Sequence, residues 1–99
     1  METDWLRAAY TSAGSSRHAA RLYLEHHIRD AGVDEELFKR LSMAYVFADA
    51  LCVLLEGIMG KGTMGGLRKE QSAAIVAMSR ELARAQTYLA KRGISLFFH

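Results

Sequence analysis

"LSMAYVFADALCVLLEGIM", residues 41–59, is apolar except at Ser42, Asp49, Glu56 and Gly57. Read around a helical axis, its large side chains point in every direction, and a helix that is apolar all round is expected to be buried all round. Its length suits a membrane span. Asp49 lies near the centre, however, where a charge costs roughly 2.5–3.5 kcal/mol in a bilayer. Glu56 and Gly57 weaken a span further, so the stretch reads as the core helix of a soluble protein.

The surroundings agree with a helical domain. The chain has 99 residues, 51% of them hydrophobic, with no proline and eight glycines placed mostly between apolar runs. That composition specifies one all-α domain spanning residues 1–99. The net charge of +2 is too small to mark a nucleic-acid binder by itself. Cys52 is the single cysteine. It has no internal disulfide partner and sits in the apolar run, as a small core residue of a reducing, cytoplasmic protein would. The opening "METDWLRAAY" carries acidic residues where a signal peptide carries basic ones.

Working outward, the breaks predict four helices. Thr3 or Asp4 caps a first helix over 4–13, with Trp5, Leu6, Ala9 and Tyr10, and Gly14 ends it. Ser15 or Ser16 caps a second over 17–31, with Ala20, Leu24, Ile28 and Ala31 on one face. Gly32, Asp34, Glu35 and Glu36 close that helix and open a third over 35–59, the acidic residues favoured by the helix dipole. "GKGTMGG", residues 60–66, is a loop, and a fourth helix over 67–92 stops at Gly93. In this last helix Gln71, Ile75, Met78, Leu82, Ala85 and Leu89 repeat at alternating four and three, the seam of a coiled-coil-like contact. The tail "ISLFFH", residues 94–99, needs an apolar partner.

The expected architecture is therefore two short helices beside a long antiparallel hairpin. Too little apolar surface remains to wrap the third helix. Homodimerisation supplies the missing cover, and a monomeric four-helix bundle is the simpler alternative. The residues expected at a dimer or partner interface are Trp5, Tyr10, Phe47, Leu51, Leu54, Leu55, Ile58, Ile75, Met78, Leu82, Leu89, Leu96, Phe97 and Phe98.

Chemical motifs are sparse. The glycines around Lys61 and Thr63, with Arg68 and Lys69 beyond, resemble a phosphate loop only in part, because Gly62 stands where a phosphate loop has Ser or Thr after its lysine. His26 and Asp30 have the i, i+4 spacing of two metal ligands, with His18 and His27 nearby, but also that of a surface pair, and no metal or other cofactor is expected. No nucleophile, base and orienting group share a local signature, so no catalytic residue is assigned. Asp49 and Glu56 read as the polar edge of the bundle. Arg80, Arg84, Tyr88, Lys91 and Arg92 form a basic stripe that, with Lys61, Arg68 and Lys69, offers a nucleic-acid surface. The leading expectation is a small, non-enzymatic, cytoplasmic regulator of bacterial or phage type. It would bind a larger protein through an apolar helical surface as inhibitor, anti-activator or adaptor. A nucleic-acid-associated regulator is the alternative.

Overall fold

The structure, a computed structural model, describes residues 2–29, 35–60 and 68–95, and the side chains of the first helix over 4–26. These residues form three helices: α1 (Glu2–Arg29), α2 (Glu35–Gly60) and α3 (Lys69–Lys91). The all-α expectation holds, but the count of four does not. The two short N-terminal helices are one helix that runs through Gly14, Ser15 and Ser16 without a break.

The reason is tertiary. A glycine and two serines lower intrinsic helicity, yet Leu6, Ala13, Ser16, Ala19 and Ala20 lie along one side of α1 and are all buried. Breaking the helix at Gly14 would forfeit that continuous contact, which outweighs about 1 kcal/mol of unfavourable propensity at one glycine. Gly14 also lacks the left-handed backbone of a helix terminator. The positive φ is at Gly93 (81°).

Gly93 does end its helix as expected. Its backbone N–H donates to Ala90 and that of Ile94 to Leu89, at 3.0 and 2.9 Å. This closes the last carbonyls in a Schellman motif, and Ile94 packs against the core that includes Leu89. At the other end of α3 the Gln71 carboxamide oxygen accepts the Arg68 N–H at 3.0 Å, satisfying one donor of the first turn.

α2 is the central element and packs along both α1 and α3, which do not pair with each other backbone to backbone. Tyr10 bonds Glu56 and Arg17 bonds Asp49, so α1 and α2 run antiparallel. Arg40, near the start of α2, lies over the ring of Tyr88, near the end of α3, so α3 is antiparallel to α2 as well. The core seam of α2 is Leu41, Ala44, Ala48, Leu51, Leu55 and Ile58, with Cys52 beside it, all buried. Their spacing of three and four is that of knobs-into-holes packing. Opposite them α3 presents Ile75, Leu82, Ala85 and Leu89, four of the six residues of its expected seam.

Candidate functional site

Because α1 and α3 cover only two sides of α2, its outward side stays open. The expectation that a helix apolar all round is buried all round is therefore corrected: Val46 and Val53 are each 59% exposed and Phe38 is 40% exposed. Phe38, Lys39, Ser42, Met43, Val46 and Phe47 line an open groove of about 420 Å³ along the first half of the helix. Further on, Ala50 and Leu54 are half-buried and Gly57 is exposed. α2 is also long and apolar enough to cross a membrane by length and composition, as the core helix of a soluble protein equally can be.

The edge of this face toward α1 is polar. Arg17 Nη1 donates to Asp49 Oδ1 at 3.0 Å, with both side chains partly exposed. The bond to Asp49 holds the Arg17 guanidinium still more firmly protonated. Two turns along, the Tyr10 hydroxyl donates to Glu56 Oε1, and that hydrogen bond to a carboxylate pushes the phenol above its ordinary range. A polar recess of about 320 Å³ opens beside the Arg17 pair, lined by Gly14, Arg17, His18, Arg21, Tyr45 and Asp49. Its charges are largely matched, since Arg21 bonds Glu25 at 3.1 Å. Cys52 lies beneath, fully buried, and burial pushes its thiol up. A closed, protonated thiol is a packing residue rather than a nucleophile.

The interface residues singled out from sequence fall into three groups where the structure describes them. Leu51, Leu55, Ile58, Ile75, Leu82 and Leu89 are buried within the single chain and have no area to offer a partner in this conformation. Tyr10 and Met78 are half-buried against the same core. Trp5 is 45% exposed, and Phe47 and Leu54 flank the outward face of α2. Leu96, Phe97, Phe98, Lys61 and His27 lie outside the described residues or side chains, as does Asp30. The residues missed were Phe38, Met43, Val46 and Val53. For the last three the signal was present: from Lys39 the outward positions repeat at four, three, four, three and four, as regularly as the core seam.

Among the basic residues, Arg68, Lys69, Arg80, Arg84, Lys91 and Arg92 are exposed. Arg84 pairs with Glu81 at 3.0 Å. Tyr88 is not an open stacking platform. Arg40 lies 5.0 Å and Arg92 5.6 Å from its ring centroid, and Arg92 donates to its hydroxyl at 3.1 Å. Among the described residues no group of three His, Cys, Asp or Glu side chains is placed to hold a metal ion.

The chain matches no protein-family model, no curated protein and no solved structure.

Proposed function

We propose that this chain is a small, non-enzymatic, cytoplasmic regulatory protein that docks helix to helix on another protein through the outward face of α2. Its effect on a larger target is steric, by inhibition, anti-activation or adaptation. The supporting observation is the exposure of Phe38, Val46 and Val53 along one face of a helix whose opposite face is the core. A contiguous apolar strip on a small soluble domain marks an interaction surface, and helix-in-groove docking uses anchors at this spacing. Arg17, Asp49 and Glu56 form a charged rim on the α1 side that sets register and on-rate.

The test is capture with the tagged full chain from cells of its own source, with nuclease added and with Val46→Lys/Val53→Lys as the matched control. A protein held at moderate salt by the wild type and lost with the double variant supports this reading. If capture instead vanishes with nuclease, weakens steeply with salt and is lost on Arg80→Glu/Arg84→Glu, the basic stripe is the working surface and the reading fails.

A further inference from the structure

α2 carries two seams. The first, Leu41, Ala44, Ala48, Leu51, Leu55 and Ile58, is the core. The second is Lys39, Met43, Val46, Ala50, Val53 and Gly57, none of which is buried. It alternates steps of four and three residues, the heptad spacing at which one helix keeps a constant face toward another. Over residues 39–57 it extends about 27 Å. Resting on the reading of α2 as a docking face, we infer that a second copy of this chain occupies this seam until a target displaces it, with the two α2 helices antiparallel about a two-fold axis.

Self-pairing is argued from the layout of the seam. With the axis between Val46 and Ala50, each Val46 packs on Ala50 of the second copy, each Met43 on Val53 and the stem of each Lys39 on Gly57. Every large side chain meets a smaller one. The flanks differ, with Phe47 and Leu54 on one side and Ser42, Asp49 and Glu56 on the other. An isologous antiparallel pair sets each flank against its own counterpart, so Phe47 and Leu54 close on one another, whereas a parallel pair lays them against Asp49 and Glu56. Charge agrees. Lys39 and Glu56 lie near opposite ends of the seam, and antiparallel pairing brings each Lys39 beside Glu56 of the second copy. The two Asp49 carboxylates that approach the axis are each matched by Arg17 of their own chain at 3.0 Å.

The experiment is sedimentation velocity on the full chain across a concentration series, with circular dichroism on each variant. The expected result is a dimer whose dissociation constant rises roughly thirtyfold or more on Val46→Lys or Val53→Lys, with helicity retained. Orientation is read by mixing a Met43→Cys chain with a Val53→Cys chain under mild oxidation, where a disulfide between the two unlike chains is expected. Self-linking of Met43→Cys overturns the antiparallel arrangement. Should a lysine variant unfold, the charge exchange decides: Lys39→Glu and Glu56→Lys each weaken the dimer, and the double exchange restores it. A monomer at every concentration, or a dimer indifferent to these changes, overturns the inference. If that monomer still captures a target through Val46 and Val53, the docking reading stands alone; if capture is also indifferent to them, both fall.

Discussion

Ser16 of α1, completely buried, accepts a 2.8 Å hydrogen bond from the Gln86 carboxamide of α3. This bond joins the two helices that do not pair through their backbones. It also explains why a serine lies in the row of Ala13, Ala19 and Ala20: a small side chain lets the helices close, and its hydroxyl gives Gln86 a partner away from water. Ser16→Ala is expected to cost about 1 kcal/mol. Ser16→Leu overpacks the same site and is expected to cost about 1–3 kcal/mol or more. Urea unfolding of both variants checks this, and a Ser16→Leu protein as stable as wild type would show that the site is not closed.

Gly14 and Gly93 look alike in sequence and should respond oppositely. Gly14 is helical, and a Cβ built there meets nothing within 4 Å. Gly14→Ala is therefore expected to stabilise by about 0.5–1 kcal/mol. Gly93 has φ 81°, so Gly93→Ala is expected to destabilise by about 1 kcal/mol or more. Thermal unfolding of the pair decides whether α1 is continuous, since a terminating Gly14 would lose stability on the same change.

The two seams of α2 predict a sharp contrast between neighbours. Leu55 is fully buried and Val53 is 59% exposed. Leu55→Ala is expected to cost about 2–5 kcal/mol. Val53→Ser, measured at concentrations low enough to keep the chain monomeric, should stay within about 0.5 kcal/mol of wild type. Denaturant midpoints of the two variants test the orientation of α2 directly.

Tyr10 should keep its proton to higher pH than a free tyrosine, first because its hydroxyl is bonded to Glu56 and second because it is partly desolvated. The folded state then binds the extra proton. Its contribution to stability is full below the unfolded phenol's range near pH 10 and fades as pH rises through the raised folded value. Ultraviolet titration of wild type against Tyr10→Phe isolates this phenol. Glu56→Gln should bring its titration down, and an unchanged titration would mean that the bond does not form in solution.

Cys52 should behave as a packing residue. It is fully buried with its thiol held protonated, so a thiol reagent should label it only as fast as the bundle opens. Prompt stoichiometric labelling of the native chain at neutral pH would show that the α1–α2 contact is looser than described.

The all-α class, the start of α2 and the stop at Gly93 were legible locally, because dipoles, glycine conformations and side-chain periodicity act within a few residues. The seam of α3 was equally legible, since Ile75, Leu82, Ala85 and Leu89 turn inward as their spacing requires. Which face of α2 is core was not. Leu51 and Leu55 are chemically close to Val53 and Leu54, and their fates separate only when α1 and α3 occupy two sides of the helix and leave the third open. Gly14 misled for a related reason: its local preference is a fraction of the packing energy of the small-residue face that continues across it. Local chemistry by itself determined where helices can begin and stop and which residues can be apolar. The tertiary structure decided whether a permitted break is used and which apolar surface meets water, because both depend on burial contributed by residues distant in the chain.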